Sequence, residues 1–301
     1  MGFLLSIVAA LFFPGIIIRL KSWLSGRRGP GMFQPWRNIL VLLNKGSVFS
    51  TLSSYVFRIA PVISLATIVC SMLLLPFPGV PSPFGFDGDF VFFAYLLALG
   101  KFLFIIAALD TGSSFEGMGA SREALYSLLV EPAFFILFGT LALLTGVTSM
   151  QEIFETFQVT GHNSFIIGFI GIYLLIQIAM IENSRMPVDD PKTHLELTMV
   201  HEVMILDHSG FDLALMHIGT ALKFSMYGTL VANFLIPLSW PLPAGIGFFF
   251  AIQAGMAAVI GLMESFRARK KLARNPQFIV TLSSIALLAF ILVLMITFNR
   301  I

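Results

Sequence analysis

FVFFAYLLALGKFLFIIAAL, residues 90–109, decides the fold: twenty residues with a single charge, Lys101, near the middle. At about 1.5 Å rise per residue, such a stretch crosses a hydrocarbon core of about 30 Å as one helix. Similar apolar stretches lie at approximately 3–20, 54–76, 124–147, 165–183, 211–238, 242–264 and 277–298. The whole chain of 301 residues is 57% apolar and 11% charged, a composition no ordinary soluble domain has. The expected fold is all-α, a polytopic membrane protein with about eight transmembrane helices in one membrane domain, 1–301. The short alternating segments of a β-barrel are absent, and no internal repeat or low-complexity tract divides the chain.

Charge sets the expected orientation. The linkers after spans one, three, five and seven hold Arg19, Lys21, Arg27, Arg28, Arg37, Lys45, Arg122, Arg185, Lys192, Arg267, Arg269, Lys270, Lys271 and Arg274, whereas those after spans two, four and six hold no Lys or Arg. Positive residues stay inside, so both termini are expected outside. The run Phe3–Ile18 has no basic segment before it and no small-residue cleavage site after it, and reads as a retained first span. Cys70 is the one cysteine, so this chain has no internal disulfide and no iron–sulfur ligand set. Of the outer linkers, Pro76–Asp89 reads as a Pro- and Gly-rich connector, Thr148–Ser164 as a site for a short surface helix, and Ser239–Pro243 as a tight turn carrying an interfacial Trp240.

Ionisable groups inside apolar spans carry the functional signal, because a charge in lipid is costly unless paired or wetted. Lys101 and Glu131 fall about 10–12 Å from the inner ends of their spans and are candidates to pair. His217 sits at a similar depth, Lys223 near mid-membrane, and Glu182, Asp212 and Glu264 near the inner boundary. Together they read as a proton path from the inner mouth to the membrane centre. The bland alternative is a set of ion pairs that fix helix packing. Glu131, before Pro132, is the leading single candidate. Lys223 has Ser and Tyr neighbours through which to snorkel, and Glu264 lies close to Arg267 and Arg269 for an interfacial salt bridge.

The inner linkers hold the remaining candidates. In ENSRMPVDDPKTHLELTMVHEVMILDHSG, Glu182–Gly210, Pro187 and Pro191 force an extended start, and Thr193–Leu206 is expected as an amphipathic surface helix. His194, His201 and His208 recur every seven residues, which on a helix gives roughly one face, with Glu202 adjacent, able to exchange protons near neutral pH. That spacing separates successive histidines by about 10 Å, too far to share one ion, and HExxH is missing, so no metal site is expected. DTGSSFEGMGASRE, Asp110–Glu123, reads as a short loop with Ser121 as N-cap of the next span and Arg122 and Glu123 in its first turn; no Walker lysine follows its glycines. GRRGPGMFQPWRNILVLLNKGSVFS, within Lys21–Ser53, suggests an interfacial helix. A net charge of +2 on a membrane chain offers no basis for nucleic-acid binding.

Several of these pieces together resemble one family. GRRGPGMFQPW, GASRE followed by Glu131-Pro132, the residues Glu182, Arg185, Pro187, Asp189, Pro191, Glu196, Leu197 and Ser209-Gly210, and the basic FRARKKLARNP loop are similar to the complex I subunit 1 family, and within it to the membrane anchors of formate hydrogenlyase and membrane-bound NiFe hydrogenases. The resemblance implies a non-catalytic subunit in a prokaryotic cytoplasmic (inner) membrane. It would dock a peripheral arm on its inner face, with NiFe hydrogenase-like large and small subunits and an iron–sulfur subunit, and couple electron transfer to proton or sodium movement through antiporter-like membrane subunits. Iron–sulfur clusters and a NiFe centre would then belong to partners, with no cofactor in this chain. Glu131, Glu182, Arg185 and Asp189 would belong to the acidic connection or its mouth. Docking candidates are Arg185, Asp189, Asp190, His194, Glu196, His201, Glu202, Asp207, His208, Arg122 and Glu123. Lys192 and His194 stand where the quinone-reducing branch is acidic, and Val188 where it has an aromatic, which favours the hydrogenase-like branch. The competing functions are a stand-alone secondary transporter and a quinone-binding complex I subunit.

Overall fold

The computed structural model describes residues 2–51, 53–159, 163–189, 199–267 and 272–298. Among them the chain forms eleven α-helices: α1 Gly2–Leu24, α2 Gln34–Leu43, α3 Tyr55–Leu74, α4 Asp89–Asp110, α5 Ser114–Thr145, α6 Met150–Val159, α7 Asn163–Glu182, α8 His201–Met204, α9 Gly210–Leu235, α10 Leu242–Phe266 and α11 Asn275–Phe298. Asp190, His194 and Glu196, with Pro191, Lys192 and Leu197, lie outside the described residues, as do Arg269, Lys270 and Lys271.

Seven helices, α1, α3, α4, α5, α7, α10 and α11, are long and apolar enough to cross a membrane. The eighth long helix, α9, has 26 residues but is less apolar. Its position explains this. It packs against α1, α2, α3, α6, α7 and α10, and most of its residues are buried in protein, so its surface needs complementarity to helices more than to lipid. Polar side chains tie it in place. The Ser6 and Thr229 hydroxyls bond at 2.9 Å, Gln253 Nε2 donates to the Ser225 carbonyl at 3.0 Å, and Asn233 Nδ2 donates to the Pro76 carbonyl at 2.9 Å. Such interhelical bonds contribute about 0.6–2 kcal/mol each in a membrane. Around α9, the main neighbouring pairs are α3 with α4, α5 with α11, and α1 with α10.

The boundaries expected from sequence hold to a few residues except at α5. This helix starts ten residues earlier than position 124, at Ser114, with Ser113 as the preceding cap residue. Most of the stretch expected as a loop is therefore helix. Ser121 is inside it and donates to the Met118 carbonyl, 2.9 Å away. The glycines that suggested a loop serve packing: a Cβ on Gly119 would overlap Val203 and the Val200 carbonyl. Close approach of another segment, not a turn, requires glycine there.

The two amphipathic expectations are met differently. α2 lies against α9, with Ile39 buried and Leu40 and Val41 exposed. α6 buries Met150, Ile153, Phe154 and Phe157, and its Met150 N–H is accepted by Asp89 Oδ1 at 2.7 Å. The linker after α7, expected to hold a surface helix over Thr193–Leu206, lies partly outside the described residues. Its described part has only the one-turn α8, and Met199, Val200, Val203, Met204 and Ile205 are buried, with α8 against α5.

Candidate functional site: a buried ion-pair cluster between two cavities

The end of α7 creates the site. Ser184 takes a left-handed conformation (φ 48°), its N–H bonds the Ile181 carbonyl at 3.0 Å, and the Arg185 N–H bonds the Met180 carbonyl at 2.8 Å. This is a Schellman stop with Ser in the place usually held by Gly. Glu182 is thus the last residue of α7, where the helix dipole disfavours a negative charge. Two cations offset that. Lys101 Nζ lies 2.8 Å from Glu182 Oε1 and 3.1 Å from Glu123 Oε1, and Lys223 Nζ lies 3.8 Å from Glu182 Oε2.

The contact places the end of α7 inside the bundle. Lys101 stands nine residues before the end of α4 and Glu123 nine residues after the start of α5, each about 13 Å along its helix. Residues 183–189, directly after Glu182, therefore lie within the depth of the other helices. Their polar backbone must be satisfied by protein or line a wet cavity. Residues 183, 184 and 186–189 are buried, and Asp189, 1% exposed, accepts the Val200 and His201 N–H groups, both at 3.1 Å. Arg122 Nη1 donates to the Met199 carbonyl at 2.9 Å.

A small cavity lies on each side of the Lys101–Glu182 pair. One, of about 30 Å³, is bordered by Lys101, Glu131, Glu182 and Tyr227 among apolar side chains. The other, of about 40 Å³, is bordered by Ser64, Lys101, Glu123, Glu182, His201 and Lys223. Each exceeds the roughly 10–15 Å³ that a water needs, and each offers several polar partners. The first has room for water beside Glu131 and Glu182, the second beside Glu123 and Glu182.

The structure corrects several expectations. Lys101 pairs with Glu123 and Glu182 and not with Glu131, because α5 begins early and carries Glu123 to the depth of Lys101. Glu131 shares a cavity with the pair, and among the described residues it has no hydrogen bond or ion pair. Lys223 turns to Glu182 and does not snorkel. Among the described residues Glu264 is bound by Lys21 at 2.7 Å and Arg185 at 3.4 Å and not by Arg267, since α1 lies beside α10; Arg269 lies outside the described residues. Arg185 also stands over the Phe224 ring at 5.1 Å. His217 is exposed on the outside of the chain and borders neither cavity. Asp212 is buried in the first turn of α9, eleven residues from Lys223, about 16 Å along the helix.

The histidines do not share a face, because α8 ends at Met204. His201 stacks on Phe104 at 5.2 Å, and His208 lies flat on Phe57 at 3.9 Å and 2°. Glu202 is half-buried on α8, while Asp207 is exposed and its N–H is accepted by Glu116 Oε1 at 3.1 Å. Burial pushes His208 down to about 4, and burial, then the positive field of Lys223 with smaller contributions from His217, Lys101 and Arg185, pushes His201 to about 3. Both are neutral when packed and take up protons more readily when released. Their packing thus contributes fully above about pH 6.5 and is lost progressively as pH falls toward 4. Hydrogen exchange of residues 205–210, corrected for intrinsic rates, should accelerate across that window, and His208→Phe should flatten the dependence. A pH-independent wild type would contradict it.

Sequence reasoning missed Glu116, which is 1% exposed, and took Tyr227 only as a neighbour of Lys223, not as part of the wall of the Glu131 cavity. Its place one turn on from Lys223 was the signal for it. Glu116 gave no signal, being inside a stretch that looked like loop.

Comparison with known proteins agrees with this architecture. The family model described as NADH dehydrogenase matches residues 1–299. The chain is 33% identical over 225 residues to hydrogenase-4 component C of Escherichia coli strain K12, covering 75% of this chain and 70% of that one. It is 30% identical over 285 residues to formate hydrogenlyase subunit 4 of the same organism, covering 92% of each. In the solved structure of the membrane-bound sulfane sulfur reductase, an archaeal respiratory membrane complex, one chain matches with a TM-score of 0.82 at 17% identity, over 97% of this chain and 96% of that one, which shows a common fold. Sequence and fold agree that this chain belongs to the NADH dehydrogenase family, that of complex I subunit 1.

Proposed function

We propose that this chain is a non-catalytic membrane subunit of a respiratory hydrogenase-like or complex I-like oxidoreductase, coupling electron transfer in a peripheral arm to proton or sodium movement. The observation that carries this reading is the Lys101–Glu182 pair set between two water-sized cavities, with Glu131 at the far side of one and Glu123 and His201 bordering the other. Two ammonium groups balance Glu123 and Glu182, which leaves Glu131 as the carboxyl able to gain and lose a proton. The partners are a NiFe hydrogenase-like pair of large and small subunits, an iron–sulfur subunit and antiporter-like membrane subunits, in an inner membrane with both termini of this chain outside.

Docking on the inner face is supported by what stays exposed there. Val48, Leu206 and Phe211 are exposed large apolar residues beside Asp207, in segments joined by the Val48 N–H donating to Ser209 Oγ at 2.9 Å. Asp189 and His208 are buried, so they act by holding the shape of this surface. The test is purification from native membranes in mild detergent, with identification of accompanying chains and assay of metals. A complex carrying both nickel and iron is expected. Iron without nickel would move the assignment to the complex I-like branch, and a lone, metal-free chain recovered in several detergents would overturn it in favour of a transporter.

A further inference from the structure

Two more cavities lie along the seam between α1 and α10, and the coupling function uses neither. At the inner end, Lys21, Ser22, Arg27, Arg28 and Ser265 border an open cleft of about 450 Å³, with the exposed Phe266 as part of its wall. That volume falls within the roughly 300–1,000 Å³ typical of ligand sites. Its charge is unbalanced. Glu264 holds Lys21, but among the described residues no carboxylate lies within 4 Å of the exposed Arg27 or Arg28.

The other cavity, about 230 Å³, is mostly apolar, bordered by Phe12, Phe13, Ile16, Phe250 and Ala254, with Met32 and the one polar side chain, Gln253, at its side. Ala254 and Ser265 are eleven residues apart on α10, about 16 Å along the helix. Half of a hydrocarbon core of about 30 Å is nearly the same length, so a chain anchored at the cleft would end in the apolar cavity. One segment borders both. After α1 the backbone turns back along the helix, so that residues 27–30 edge the cleft and Met32 the apolar cavity, while Phe33 meets Phe12 edge to face at 5.6 Å. Gly15 allows this climb, since a Cβ there would overlap the Met32 carbonyl oxygen.

The geometry points to a bound phospholipid with an anionic headgroup, its phosphate on Arg27 and Arg28 and one acyl chain in the apolar cavity between α1 and α10. Basic pockets between membrane helices suit acidic headgroups. A zwitterionic lipid would fill the apolar part but leave the guanidiniums uncompensated. Free phosphate would do the reverse. The lipid would also brace the segment leading into α2.

The test is native mass spectrometry of the full chain in mild detergent, titrated separately with phosphatidylglycerol, phosphatidylcholine and glycerol 3-phosphate. Phosphatidylglycerol should be retained at least tenfold better than phosphatidylcholine. Arg27→Gln with Arg28→Gln, two exposed changes that spare the fold, should weaken phosphatidylglycerol about thirtyfold, the combined effect of two interfacial cations. Ala254→Phe fills the apolar cavity and leaves the charges alone; it should weaken the lipid but not glycerol 3-phosphate. Equal retention of the two lipids, or no loss in the double arginine variant, overturns the proposal. Glycerol 3-phosphate binding as tightly as the lipid overturns it in favour of a soluble phosphate site, and an unaffected Ala254→Phe variant removes the acyl chain from this cavity.

Discussion

Lys101→Met is expected to destabilise the purified chain by about 3–5 kcal/mol, because it leaves Glu123 without its buried cation and deprives Glu182 of the nearer of its two. Lys223 cannot compensate for both. It lies 3.8 Å from Glu182, and no ion pair joins it to Glu123 among the described residues. The informative comparison is Lys101→Met with Glu123→Gln. That double variant removes one charge of each sign and keeps the Lys223–Glu182 pair, so it should recover most of the lost stability. Replacing a buried pair by neutral groups of similar volume is often close to neutral, whereas orphaning one partner is not. Thermal denaturation in one detergent, followed by size-exclusion chromatography, reads the difference. Equal losses in the single and double variants would mean that Lys101 and Glu123 do not interact.

Glu131→Gln should have the opposite profile, a large functional loss with little effect on folding. Glu131 is half-buried, lines the cavity beside Glu182 and has no hydrogen bond or ion pair among the described residues, so an isosteric amide disturbs little. It cannot carry a proton. In the assembled complex in closed vesicles, redox turnover should continue while coupled ion movement falls about a hundredfold, the lower end of what one acid–base group contributes. Glu131→Asp, which keeps the carboxyl but shortens its reach, should retain part of the coupling. Undiminished coupling in Glu131→Gln would remove Glu131 from the path. Pro132 does not interrupt α5 at this point, so the residue is positioned by a continuous helix.

How much of the site was legible depended on the kind of contrast. Lys101, Glu131 and Lys223 stood out because a charge in an apolar span is rare and costly, a local property visible in one window of sequence. Their partners were not visible. Lys101 meets Glu182 across 81 residues, and Lys21 meets Glu264 across 243. Depth counted from assumed helix ends suggested Glu131 for Lys101, and a ten-residue error at the start of α5 was enough to hide Glu123. Gly117, Gly119 and the neighbouring serines carried that error, since glycine signals a turn and a close helix contact equally well. The histidines failed for a related reason. Their seven-residue spacing is meaningful only if one helix holds them, and α8 ends after His201–Met204.

The sequence by itself determined that the chain is a bundle of long apolar helices and where most of them lie, because hydrophobic length against a bilayer is a one-dimensional quantity. It also placed the ionisable groups in the membrane and carried the family. Only the tertiary structure decided which charges neutralise one another, that residues 183–189 are held within the bundle, and that one water-sized cavity is bordered by both Glu131 and the Lys101–Glu182 pair. Those outcomes depend on the packing of α4, α5, α7 and α9 to within an ångström or two, and a buried charge is stabilised or destabilised by what lies at that distance.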